Sequence, residues 1–348
     1  MGVPIIGAGL GATLGTAEED TWGTFAAPDS FVEFVSETLA LDPKNVQSEA
    51  INGGLFEQAQ RRVRTTRQAA GPVNLELQSR SIGRFLKHMV QCGSPVVGAA
   101  GGSSSAYQQV FTPGPSAGLS LSVQVGRPTA LGVMEAFSYT GVKVLDWTVD
   151  VAVDAISKLQ LTLDAKDEDT TEDYAAPSWT DADVFHFAEA TLLLGGTAAT
   201  TGGVCTLTGG TPVASATGAS IKGANTLDTA RQFVGNGGLK REQLNNGFTK
   251  ITGELDLEFD DLTTMYEAFS ANTQTSLQLT WTGPVIDEAN NVNAGLVVLI
   301  PAIFFEKGTP DVSGPKILTQ KGSFTGLADK LGNPAVQFTY TTLDATPL

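Results

Sequence analysis

Two histidines, His88 and His186, and two cysteines, Cys92 and Cys205, hold all the imidazole and thiol chemistry in this chain of 348 residues. A nucleophilic triad needs a serine or cysteine beside a positioned imidazole, and no Gly-x-Ser-x-Gly turn or similar motif accompanies either histidine. The cysteines lack Cys-x-x-Cys spacing, so they announce neither a zinc site nor a disulfide framework and read as small buried apolar residues. Gly7-Ala-Gly-Leu-Gly11 resembles a phosphate-binding turn, but no strand precedes it, the last glycine is misplaced and no βαβ unit follows. It reads as part of an extended N-terminal arm. Clustered acids between Asp164 and Asp173 invite a calcium reading, yet the glycine that such a loop needs at its sixth position is missing. No catalytic residue, cofactor-binding residue or metal ligand is assigned, and the chain is expected not to be an enzyme.

Charge arranged on strands is the stronger signal. From Val142 to Asp164 an apparent hairpin alternates strictly: Leu145, Trp147, Val149, Val151, Val153, Leu159, Leu161 and Leu163 fall on one face. The other face carries Asp146, Thr148, Asp150, Ala152, Asp154, Lys158, Gln160, Thr162 and Asp164. Glu254, Asp256 and Glu258 repeat the acidic face opposite Leu255, Leu257 and Phe259. One side therefore faces a core and the other water. Carboxylates four residues apart on a strand stand about 13 Å apart, beyond the roughly 8 Å screening length at physiological salt, so they make no catalytic pair. Two readings stay open, an ordinary solvated sheet face and the wall of a water-filled pore. Arg61, Arg62, Arg64 and Arg67 form the one basic cluster; without interleaved aromatics for base stacking, they are expected to form ion pairs with acidic neighbours in an assembly.

Composition narrows the class. With 21 basic against 37 acidic residues the formal charge is −16, which repels a nucleic-acid backbone and disfavours sequence-reading DNA binding. No basic n-region opens the chain, and the apolar run at residues 294–305 is too short for a spanning helix and contains Pro301, so neither export nor membrane insertion is expected.

Period-2 alternation dominates, which predicts a mainly β fold with one short helix in each half. Ile82, Phe85, Leu86 and Met89 follow helical spacing, and Leu262, Met265, Tyr266 and Phe269 repeat it. Their neighbours recur in the same order, as a duplication requires. Gly71-Pro-Val-Asn-Leu-Glu-Leu77 answers Gly253-Glu-Leu-Asp-Leu-Glu-Phe259, and Asn52-Gly-Gly-Leu55 answers Asn236-Gly-Gly-Leu239. Leu119 through Pro128 answers Leu277 through Pro284, and residues 32–41 answer residues 185–194. The expected organisation is an N-terminal arm (1–30), a first module (31–165), an acidic turn-rich linker (166–182) and a second module (183–348). A Gly/Thr-rich insertion at residues 195–220 interrupts the second, with a small extra strand at Val204-Cys-Thr-Leu-Thr208.

These stretches resemble the tail tube proteins of tailed bacteriophages, particularly long-tailed actinobacterial phages. Trp22-Gly-Thr through Leu41, the arginine-rich arm, Gly71 to Leu77 and Ser81-Ile-Gly-Arg-Phe-Leu-Lys-His88 carry the resemblance. So do Phe111-Thr-Pro113, Phe137-Ser-Tyr139-Thr-Gly-Val-Lys-Val144, Lys240-Arg-Glu-Gln-Leu-Asn-Asn-Gly247 and Ile251-Thr-Gly253. The resemblance implies a structural virion protein of the tail, made in the bacterial host cytoplasm, whose β-sheets close into barrel rings stacked around a negatively lined conduit for genome ejection. It makes Asp146, Asp150, Asp154, Asp164, Glu254, Asp256 and Glu258 candidate lumen residues. The implied partners are other copies of the chain, the tape measure, tail-tip and tail-terminator proteins, and DNA that passes without specific binding. Two modules per chain favour a trimeric, pseudo-hexameric ring over a hexamer. The alternative is a decorating or receptor- or carbohydrate-binding β-protein of the virion; an outer-membrane barrel would need an export signal and lipid-facing strands with aromatic girdles, and is not expected.

Overall fold

The computed structural model describes residues 7–312 and 314–348. The first six residues of the expected N-terminal arm lie outside that range. Strands hold 49% of the residues and helices 6%, which places the chain in the mainly β class.

The first half contributes β1 (Thr13–Glu18), β2 (Ala40–Gln47), β3 (Arg62–Glu76), α1 (Gly83–Met89), β4 (Leu121–Pro128), β5 (Met134–Ala152) and β6 (Lys158–Ala165). The second contributes β7 (Ala190–Leu194), β8 (Ala216–Ala224), β9 (Lys250–Glu258), α2 (Tyr266–Ser270), β10 (Thr275–Asp287), β11 (Val292–Lys307) and β12 (Thr319–Gly326). Neighbouring strands run β2·β3·β6·β5·β4·β1 in the first half and β8·β9·β12·β11·β10·β7 in the second, all antiparallel. The halves meet at two strand pairings: the C-terminal part of β5 pairs with β8, from Asp146 opposite Ala224 to Ala152 opposite Gly218, and Tyr107–Phe111 pairs with Gln337–Thr342, which in turn pairs with β11. One sheet thus runs through both.

Alternation explains which face each strand buries. In β6 Leu159, Leu161 and Leu163 are buried, as are Leu255 and Leu257 in β9, while Lys158, Gln160, Glu254 and Glu258 are exposed. Trp147 and Trp281 are fully buried in one core shared by both halves. The Trp147 ring meets Phe338 edge to face at 5.3 Å, and Trp281 Nε1 donates to Ser157 Oγ at 2.8 Å. At the β5·β8 joint Gly223 is required, because a Cβ there would stand 2.1 Å from Cε2 of Trp147.

In α1, Ile82, Phe85, Leu86 and Met89 are all buried, and Arg84 donates to the Thr16 carbonyl at 2.7 Å, fastening the helix beneath β1. The second helix departs from the expected pattern. Met265 is buried and Tyr266 and Phe269 half-buried, but Leu262 lies ahead of α2 in a turn and is 51% exposed. The helix is only 5 residues long, so no turn of helix carries Leu262 round to the core.

Three boundaries also need correction. Residues 13–18 are no free arm: β1 pairs with β4 along its whole length. The segment 166–182 is packed on the sheet, with Asp167–Asp169 paired to β5 and the Gln124 side chain bonded to the Asp173 carbonyl and the Ala175 amide. Within 195–220 a separate hairpin joins Thr197–Thr201 to Val204–Thr208, but residues 216–220 already belong to β8.

Candidate functional site

The polar side of the central sheet gathers side chains from β3, β6, β5, β8, β9 and β12. Register sets them in rows. One row reads Glu76, Lys158, Asp150, Ser220, Glu254, Ser323. The next reads Asn74, Gln160, Thr148, Lys222, Thr252, Thr325, and flanking rows add Asp146 with Lys250 and Asp256 with Lys321. Successive residues in a row sit about 4.7–4.9 Å apart, the spacing between strands.

Asp146, Glu254 and Glu258 are exposed here, and Asp150 and Asp256 half-exposed. Glu76 joins them, an acid of the alternating stretch Gly71–Leu77 that stands alone on its strand and so formed no acidic run of its own. Lysines temper the face more than the acidic alternation implied: Lys158 lies between Glu76 and Asp150, and Lys321 pairs with Asp256 at 2.9 Å. Acids still outnumber bases, so the face carries net negative charge without being uniformly acidic.

Two expected members of this face are elsewhere. Asp154 lies beyond the end of β5, in the hairpin turn, with a left-handed φ of 57°. Asp164 is buried: Lys240 Nζ reaches both its carboxylate oxygens at 2.6 Å, and Gln243 Nε2 donates to Oδ2 at 2.8 Å. The physical reason is a covering arm. Residues 225–249, between β8 and β9, fold across the first half and seal the end of β6 that alternation alone leaves open. Lys143 on β5, facing Asp164, is sealed by the same arm and donates to Glu242 Oε1 at 2.8 Å. Burial pulls the Asp164 carboxyl up and the Lys240 ammonium down, and their contact opposes both shifts.

The arginine cluster divides. Arg67 pairs with Asp167 of its own chain, whereas Arg61, Arg62 and Arg64 are exposed and have no acidic partner among the described residues. They stand beside the tip of the β2–β3 arm, where Ile51, Leu55 and Phe56 are 100%, 96% and 86% exposed. Cys92 and Cys205 are free and buried. No group of three or more His, Cys, Asp or Glu side chains among the described residues could hold a metal ion, and no described helix is long and apolar enough to cross a membrane.

A through-going antiparallel sheet with one dry and one charged, solvated face is the build of a structural scaffold. The family model for phage tail tube protein matches residues 9–326, and the chain belongs to that family. It is a structural subunit of the tail tube, a component of the virion tail that assembles with copies of itself and contacts other tail proteins. No curated protein matches the chain.

Proposed function

We propose that three chains close into a ring of six similar modules, that the rings stack, and that the polar sheet face lines the bore through which DNA leaves. The observation that carries this reading is the repetition of strand order together with its irregularities. In the first half Leu163 faces Val144 and Thr162 faces Asp146, leaving Leu145 bulged; in the second Phe324 faces Phe305 and Ser323 faces Lys307, leaving Glu306 bulged. Likewise Leu121 and Val123 face Val142 and Tyr139, while Thr275 and Leu277 face Ile303 and Ile300. Bulges do not recur at matched positions without cause, since each re-aims its strand. They support a duplicated module.

The register revises one sequence match. The counterpart of β7 is β1, since Leu14 faces Val125 as Leu192 faces Leu279; residues 32–41 instead flank β3. The β5·β8 pairing supplies a pattern for joining modules, and β2 has a single strand partner among the described residues. An open edge of this kind is satisfied by a neighbouring strand. A wall of net negative charge repels phosphate, so the genome slides without sticking.

Lysines on the face do not overturn this reading, because Asp150, Asp256 and Glu76 sit beside them in the rows. Electron microscopy of the purified recombinant protein tests it: stacked rings or tubes are expected, and dispersed monomers at high concentration would count against it.

A further inference from the structure

The β5·β8 joint inside the chain has two parts, the strand pairing itself and the arm 225–249 that lies over β5 and β6. Resting on the ring reading above, we propose that the arm at residues 48–61 makes the matching contact between chains. It lies over β11 and β12 of a second copy and sets Phe56 against Phe304, Thr325 and Leu327.

Register gives the correspondence. Asp164 faces Lys143 where the second half has Thr325 facing Phe304. Lys240 follows Asn236-Gly-Gly-Leu239 as Phe56 follows Asn52-Gly-Gly-Leu55, which sets Glu242 against Gln58 and Gln243 against Ala59. At the inner joint the arm brings Lys240 to Asp164 and Glu242 to Lys143. At the corresponding places of the outer joint, every one of those charges is absent, from the arm and from the surface it would cover.

Paired loss is what a shared contact demands. Removing one member of a buried ion pair leaves an uncompensated charge, while replacing both by apolar or neutral groups is tolerated. The exposures agree: Lys143 and Asp164 are buried under their arm, whereas Phe304 and Thr325 are half-buried, Leu327 is 48% exposed and Phe56 is 86% exposed. Net charge disfavours a bare association of acidic chains, so an apolar contact is needed to hold it.

The strand edges make the arm more important at the outer joint. Across the inner one, the Asn225 amide donates to the Leu145 carbonyl at 2.8 Å; its counterpart Pro43 has no N–H. Pro310 stands where β5 has Val149, and the Leu39 carbonyl that would face it already accepts from Tyr139 Oη at 2.9 Å and Arg127 Nη2 at 2.8 Å. Prolines on edges also keep isolated chains from pairing promiscuously. Backbone bonding is therefore sparser between chains than within one, and the apolar arm supplies the difference.

A cysteine pair tests this in the full-length protein. Phe56→Cys with Thr325→Cys, oxidised after assembly, is expected to link chains into covalent dimers and closed trimers on a non-reducing gel, and neither single variant to do so. Rings seen by microscopy with no linked chains would overturn the arm contact and leave the ring reading standing. No rings from the unmodified protein would overturn both. Should the cysteine pair itself block assembly, a charge pair decides: Phe56→Lys and Thr325→Asp are each expected to weaken ring formation by about tenfold or more, and together to restore it. Failure of the double variant to recover, with both single variants folded by circular dichroism, would contradict the proposal.

Discussion

Lys240 and Asp164 show how far a single residue's environment can depart from its strand pattern. Both side chains are buried, at 0% and 3% exposure, and their contact is doubly bonded. Lys240→Met strands the carboxylate in the interior, with an expected loss of about 3–5 kcal/mol in chemical denaturation. Adding Asp164→Leu is expected to recover most of it; no recovery would mean that the lysine acts through packing alone. His88 gives a second test. It is buried in α1, 3.6 Å from Glu18 and close to Lys87 and Arg84, and burial lowers its imidazole below the ordinary value of 6.5 against the pull of Glu18. The folded protein binds a proton at His88 less readily than the unfolded chain does. Its contribution is complete above pH 6.5 and is lost as pH falls below that value. Wild type is expected to lose stability more steeply than His88→Gln as pH falls below 6.5, by at most about 1.4 kcal/mol per pH unit, and parallel stability profiles would refute this.

At the scale of elements, alternation made β5, β6 and β9 legible in the sequence, because one face of each is dry and the other wet. The same physics hid β1. Thr13 through Ala17 are buried on both faces, so no period-2 contrast marks the strand, and its place opposite β4 emerges only from register. Burial of Asp164 was equally illegible, because its cover arrives from an arm that lies 76 residues further along the chain. The helices divide on length: α1 has the turns to display Ile82, Phe85, Leu86 and Met89 inward, and α2 begins too late to use Leu262. The β5·β8 joint depends on close approach of backbone to indole. Gly223→Ala is expected to lower stability by about 1–3 kcal/mol through overpacking against Trp147, while Gly98→Ala, with no heavy atom near its Cβ, changes little. Equal thermal midpoints for the two variants would remove the joint from this account.

For the whole molecule, the candidate lumen residues acquire a purpose only when copies assemble. Asp146, Asp150 and Glu254 lie on one continuous solvated face together with Lys158, Lys222 and Lys321, so the bore is expected to be weakly rather than densely negative. Replacing Asp146, Asp150 and Glu254 together by lysine is expected to leave tubes intact and make them retain DNA in a salt-sensitive way. Intact variant tubes with no gain in DNA retention would remove these residues from the bore. The central claim is that each chain supplies two similar modules to a ring, and the mass of one isolated ring tests it most directly. Native mass spectrometry is expected to give three times the chain mass of 36.2 kDa, with near-sixfold density in projection. A ring of six chains would contradict it.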